Sequence, residues 1–407
     1  MSSQWLEQPD HLAWLREQTR LQLRFARGFV HPEGGAAYLD EAGHPDLDQP
    51  VSTWITARMT HAYSLGHLAG VPGCQSLVAE GVAALRGRLY DDTHGGWFAA
   101  LGPGQARDET KEAYAHAFVV FAASSATVAA VSGASELLEE ALDTLDRRFW
   151  EEGPGLHSDS ANRDFSVVSA YRGVNANMHA VEALLSAADT TGDHRWRERA
   201  TRITTTVLGW AADHDGRIPE HFDPQWVPLL EHHREQPDHP FQPYGATVGH
   251  GLEWARLALH VHAAWGESAP SVLLEGAQQL FDRAVSDGWS VDGADGFVYT
   301  TDWSGQPVVR QRMHWVMAEA ISAAAALHTA TGQKRYEQWY RTWWDYASRY
   351  LVTDSGSWRH ELDPTNQPAA TVWPGRPDLY HSLHAVMLGR LPLAPSAPTA
   401  LAAGRLR

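Results

Sequence analysis

The stretch Thr247-Val248-Gly249-His250-Gly251-Leu252-Glu253-Trp254 sets an imidazole and a carboxylate three residues apart at the start of an apolar run. In a helix, positions i and i+3 share a face, so the spacing predicts His250 and Glu253 side by side on a first turn. Histidine titrates near neutral pH, so such a pair can take and return protons. Similar polar first turns recur: Trp54, Arg58 and His61; Tyr114 and His116; Asn175 and His179; His314 and Glu319; His381 and His384. Burying so many polar groups is costly unless they meet partners, water or a ligand. Six sets at matching register therefore predict a shared polar cavity. Individually, His61, His116 and His384 read as hydrogen-bonded core residues. Tyr114 and His116 are two apart and cannot share a face.

Other chemistries find little support. The chain has no His-Glu-x-x-His and no cysteine pair, and Glu231-His232-His233 with Asp238-His239 reads as a solvated loop, so no metal is expected. Nucleotide loops of the Gly-x-Gly-x-x-Gly and Walker types are absent, as is a Gly-x-Ser-x-Gly elbow, so no cofactor is expected. Glu253 and Glu319 keep open an inverting glycoside hydrolase, which needs carboxylates roughly 6.5–9.5 Å apart. The excess of histidine over carboxylate at the inner positions argues against it. A non-catalytic helical scaffold is disfavoured by the polar interior.

The elements that must position these residues are helices. Twelve Ala/Leu-rich segments with helical spacing alternate with polar, glycine-marked turns. The turn glycines Gly34, Gly95, Gly155, Gly216, Gly296 and Gly356 are separated by 61, 60, 61, 80 and 60 residues. Each period holds an outer helix, a turn or short hairpin, and an inner helix. Six such units predict an all-α fold, a closed (α/α)6 barrel with short β-hairpins in the loops at one end, as a single domain over 1–407. The long spacing contains a polar loop from His221 to Tyr244, expected to lid the mouth. The tail after Pro392 is expected to fray.

Composition bounds the partners. The formal net charge of −17 would repel nucleic acid and anionic membranes. No apolar run is long enough to span a bilayer. The start of the chain lacks a leader pattern, and the lone Cys74 allows no internal disulfide, which together suggest a cytoplasmic setting. The 18 tryptophans are expected mostly to fill gaps between helices, with a minority lining a site. Oligomeric state is not readable from the sequence.

The segments Thr56-Ala57-Arg58-Met59-Thr60-His61-Ala62-Tyr63, Asn175-Ala176-Asn177-Met178-His179-Ala180-Val181-Glu182-Ala183, Gly249-His250-Gly251-Leu252-Glu253-Trp254 and Asp378-Leu379-Tyr380-His381 resemble the N-acylglucosamine 2-epimerase superfamily. The resemblance covers nearly the whole chain and is closest to the mannose isomerase branch, itself similar to sulfoquinovose isomerases. It implies an (α/α)6 barrel and a metal-free aldose–ketose isomerase acting on a monosaccharide. The expected pair is D-mannose and D-fructose, with D-lyxose and D-xylulose as a further pair. By resemblance, His250 and His381 are the acid/base histidines and Arg58 lies near the reacting oxygens. Asn175, His179 and Glu253 hold the open sugar or orient a histidine, with Glu253 expected to orient His250. Trp54, Tyr114 and Trp315 line the ring, and His314 joins them by register. Disaccharide epimerases of the family usually carry Cys-Pro-Tyr-His where this chain has Asp378-Leu379-Tyr380-His381, which points away from that branch. A sugar 2-epimerase and a sulfoquinovose isomerase remain open alternatives.

Overall fold

The computed structural model describes residues 5–407, with Gln105 described by its backbone alone. Twelve helices follow in chain order: α1 (Pro9–Phe25), α2 (Thr53–Leu68), α3 (Cys74–Arg86), α4 (Ala113–Val128), α5 (Ala134–Arg148), α6 (Val174–Thr191), α7 (His194–Asp213), α8 (Val248–Trp265), α9 (Ser271–Gly288), α10 (His314–Thr331), α11 (Lys334–Tyr350) and α12 (Tyr380–Met387). The even-numbered helices form the inner ring. Each touches the next, and α12 returns to α2, so the ring closes.

The two sets differ in sequence as their positions require. Inner helices such as α4 and α10 are rich in alanine and buried on nearly every side, because neighbours pack on all faces. Outer helices such as α5 and α11 bury one stripe and expose charged residues on the other. Fully buried tryptophans, among them Trp97, Trp254, Trp343, Trp344 and Trp358, fill the space between the layers.

The repeat read from the glycines is a backbone repeat. All six turn glycines adopt positive φ, between 73° and 117°. Just before each of α2, α4, α6, α8 and α10, a two-residue strand pairs with the loop of the following repeat, Lys111–Glu112 with Ser160–Ala161 among them. Val51–Ser52 pairs with Ala100–Leu101, Arg172–Gly173 with His221–Phe222, Ala246–Thr247 with Thr300–Thr301, and Arg312–Met313 with Glu361–Leu362. A bridge between Leu39 and Arg376 joins the last repeat to the first. This collar of short ladders fixes where these inner helices begin, and so aims their first turns at one mouth.

The opposite end departs from expectation. Beyond Pro392 the chain forms α13 (Ala397–Ala402), which packs on α2, α4 and α6. Arg407 N donates to Arg390 O at 3.0 Å and Arg390 Nε to Arg407 O at 2.9 Å, so the tail is tied down rather than frayed. Buried Pro398, Ala400 and Leu401 supply the apolar contact. The last inner helix is also shorter than its spacing predicts, ending at Met387 with a 3-10 turn over Leu388–Arg390. Among the described residues, no helix is long and apolar enough to cross a membrane.

Candidate active site

The first turns of the inner helices and the collar loops enclose a cavity of about 110 Å³, room for several waters. Its lining includes Trp54, Arg58, Tyr114, Asn175, His179, His250, Glu253, His314, Trp315 and His381. Every site residue proposed from the sequence is thus brought to one place. His116 is not: its Nδ1 bonds the Glu112 carbonyl at 2.7 Å and its Nε2 accepts from Trp97 N at 3.1 Å. His61 and His384 lie deeper, with Nε2 atoms 2.9 Å apart.

Two histidines are held alike. His250 Nδ1 lies 2.8 Å from Glu220 Oε1, and His381 Nδ1 lies 2.9 Å from Glu319 Oε1. In each ring an Nδ1–H donating to carboxylate leaves Nε2 as the bare nitrogen. Both rings line the cavity. Trp315 packs between them, with ring centroids 5.2 Å from His250 and 5.7 Å from His381. That indole sits against bare backbone: a Cβ at Gly249 would lie 2.4 Å from its ring.

The expectation that Glu253 orients His250 is corrected here. The carboxylate on His250 is that of Glu220, the loop residue just before the collar strand His221–Phe222. Although Glu253 stands one turn along α8, it turns toward Arg256 Nη2 at 3.4 Å. Its Oε1 is 3.8 Å from His179 Nδ1, beyond hydrogen-bonding distance. Burial, then the charge of Glu319, pushes Glu253 well above the usual carboxylate range, with Arg256 opposing. Burial, then Arg58, pushes His179 well below the usual imidazole range. Both shifts favour the neutral forms, and Glu253 Oε2 and His179 Nδ1 are buried without a partner.

Behind His381 lies a buried charged row. Glu319 Oε2 accepts from Arg256 Nε at 2.7 Å, and Glu182 Oε1 accepts from Arg256 Nη1 at 2.8 Å. Tyr380 OH donates to Glu182 Oε2. Burial alone would raise Glu319, but Arg256 and His381 bring it down to about 2. Burial first, with Arg58 adding to it, lowers His381 against the opposing pull of Glu319, which favours the neutral ring that can accept a proton.

Arg58 places a buried positive charge in the cavity wall. It donates to Asp378 Oδ2 at 3.2 Å and Tyr114 OH at 2.7 Å, while its guanidinium carbon lies 4.4 Å from the Phe118 ring centroid and 4.9 Å from that of Trp54. Its Nε is buried without a partner, as is Asn175 Oδ1. His314 is held well below the ordinary range by burial and by His360, which burial itself brings to about 4. Over the mouth, Phe241 of the 221–244 loop meets Trp54, Tyr114 and Trp373 edge-on.

Sequence reasoning missed Glu220, Tyr299, His360, Trp373 and Phe241. A signal for three of them was present. The carbonyls of Ala99, Asp159, Glu220, Tyr299 and His360 accept the N–H of Thr53, Ala113, Val174, Val248 and His314 respectively. These residues recur three or four places after a turn glycine. Reading the repeat at that register, as well as along the helices, points to Glu220, Tyr299 and His360.

The N-acylglucosamine 2-epimerase (GlcNAc 2-epimerase) family model matches residues 34–385. A D-mannose isomerase of Thermobifida fusca is 52% identical over 402 residues, 98% of each chain. A D-mannose isomerase of Pseudomonas cannabina pv. alisalensis is 45% identical, over 98% of this chain and 97% of its own. Among solved structures, a D-mannose isomerase superposes with a TM-score of 0.86 at 28% identity, covering 92% of this chain and 96% of the other. The cellobiose 2-epimerase of Spirochaeta thermophila, at 22% identity and a TM-score of 0.79 over 94% and 97% of the chains, shares the (α/α)6 fold.

Proposed function

The chain belongs to the N-acylglucosamine 2-epimerase family of isomerases, and from that premise we propose that the cavity interconverts D-mannose and D-fructose. The observation that carries the reading is the pair of histidines on either side of Trp315, each held at Nδ1 by its own carboxylate. The named D-mannose isomerases, similar over nearly the full chain, support this substrate. D-lyxose and D-xylulose, which lack the last hydroxymethyl carbon, are a further pair the same chemistry would take.

Aldose–ketose isomerisation opens the ring, removes the C2 proton and returns it to C1 through an enediolate. In our reading His381 Nε2 moves the carbon-bound proton, while His250 Nε2 assists ring opening and transfer between the oxygens. As His381 becomes an imidazolium, Glu319 stabilises it and Arg256 keeps Glu319 ionised. Arg58 faces the enediolate oxygens as the positive partner. The neutral carboxyl of Glu253 donates to a sugar oxygen, and Asn175, His179 and His314 hold the remaining hydroxyls. Trp54, Tyr114 and Trp315 provide the apolar walls, and the 221–244 loop closes over them. No metal enters the scheme, because Arg58 and Arg256 supply its positive charge. The whole chain, 1–407, acts as one domain.

An inverting hydrolase is disfavoured by geometry. Oxygens of Glu253 and Glu319 lie within 4.8 Å of each other, and both carboxyl groups contact Arg256. That leaves no room between them for the water such a reaction needs. NMR of D-mannose incubated with the protein in EDTA-containing buffer tests the proposal. Fructose is the expected product. Glucose alone would indicate an epimerase, and turnover only after adding a divalent cation would refute the metal-free scheme.

A further inference from the structure

A second cavity, of about 300 Å³, lies at the other end of the ring, between the C-terminal halves of the inner helices and the segment leading into α13. Phe121, Leu185, Leu257 and Leu388 give it apolar walls. Its inner face carries Glu182 and His384, which separate it from the front cavity.

His384 leaves a hydrogen-bonding demand unmet. Its Nε2 is 2.9 Å from His61 Nε2, and His61 Nδ1 is 2.7 Å from Ser125 Oγ. Burial keeps both imidazoles neutral. Ser125 Oγ donates to Phe121 O at 2.9 Å, so His61 Nδ1 gives its proton to Ser125, His384 Nε2 gives its proton to His61 Nε2, and His384 Nδ1 is left as an acceptor. That atom is buried and without a partner. Glu182 Oε1 is 3.9 Å from it, beyond hydrogen-bonding distance. A group bridging these two acceptors must offer two hydrogen-bond donors. Two neighbouring hydroxyls do so and a carboxylate cannot, while Arg197 and Arg256 beside the site disfavour a cation. Arg197, which also lines the cavity, has a buried Nε without a partner, while Asp189 and His194 add polar contacts at the rim.

We propose that this rear cavity is a second binding site, for a neutral polyhydroxyl molecule of monosaccharide size. Small sites of this kind pair apolar walls with a few placed polar groups. The site is coupled to the front one. Glu182 ends the row Glu182–Arg256–Glu319–His381, so a hydroxyl drawn onto Glu182 weakens its hold on Arg256 and is felt at His381. Glu182 is a positioning residue in this scheme.

Calorimetric titration of the full chain tests the site. The probes are D-mannitol, an open polyol, and methyl α-D-mannopyranoside, a locked ring; neither has a free carbonyl to isomerise. Ala264→Trp and Ala188→Trp each place an indole in the rear cavity from a partly exposed position on a different helix. For at least one probe the parent should show two binding events, and each folded variant only the front one, with turnover in the absence of probe unchanged. The probe that gives the rear event tells whether the site takes open chains or rings. That probe should lower kcat as well as raise apparent KM in the parent, and only raise KM in the variants. A single event with both probes in the parent, or two events persisting in both folded variants, overturns the site. Two events with purely competitive inhibition overturn the coupling to His381. Binding does not depend on which sugar the front cavity isomerises, so the two readings fail separately.

Discussion

Glu220 Oε1 lies 2.8 Å from His250 Nδ1, and this carboxylate, from the preceding collar loop, is what orients the imidazole. Glu319 stands to His381 in the same relation, at 2.9 Å from a neighbouring inner helix. Two imidazoles on opposite sides of one indole thus present matching nitrogens to the cavity.

Replacing Glu220 by Gln should expose how much that orientation matters. The amide can pair with Nδ1 in either tautomer, so the bare Nε2 is no longer guaranteed. We expect kcat to fall by about 10²-fold or more with KM little changed. Steady-state kinetics checks this; an unchanged kcat would show that His250 needs no carboxylate.

Gly249→Ala places a methyl group 2.4 Å from the Trp315 ring. The helix backbone tolerates alanine, so the indole must move instead and carry the wall between His250 and His381 with it. The expected result is a folded chain with kcat reduced about tenfold or more, a misplacement cost. Circular dichroism beside kinetics separates this from unfolding.

Phe241→Ala removes the lid's contacts with Trp54, Tyr114 and Trp373. An aromatic pair contributes about 0.5–1.5 kcal/mol beyond its area, so KM should rise several-fold. Protection of the 221–244 loop from protease by sugar should weaken in the same variant. A loop whose cleavage ignores the sugar would not be a lid.

Acid should destabilise the fold over a defined window. Burial holds His116 and His157 down to about 3, and His11, His221, His260 and His360 down to about 4. Free imidazoles titrate near 6.5, so between about 6.5 and 4 the unfolded chain binds more protons than the folded one. Stability is complete above that window and is lost as the pH falls through it. Melting temperature should therefore be nearly flat at neutral pH and drop steeply toward pH 4. A melting temperature unchanged to the bottom of the window would mean that these rings are not neutral.

The architecture was legible because its unit repeats: six glycines at nearly constant spacing marked six turns, and all six adopt the left-handed backbone. The inner first turns were legible because polar residues interrupt otherwise apolar helices. Glu220 was not, since it lies in a loop and reaches His250 only through strand pairing that brings distant segments together. Glu253 misled because one-turn spacing gives proximity along a helix but not direction, and Arg256 draws it away. The tail misled because chain ends commonly fray, whereas here Leu401 and Pro398 had an apolar surface to cover.

The central claim is that His381 carries the proton between carbons, and His381→Ala tests it most directly. Binding of D-mannose and its turnover should be measured on the same folded variant. Retained binding with turnover lowered by about 10²–10⁴-fold is the predicted result. Turnover close to that of the parent would contradict the account.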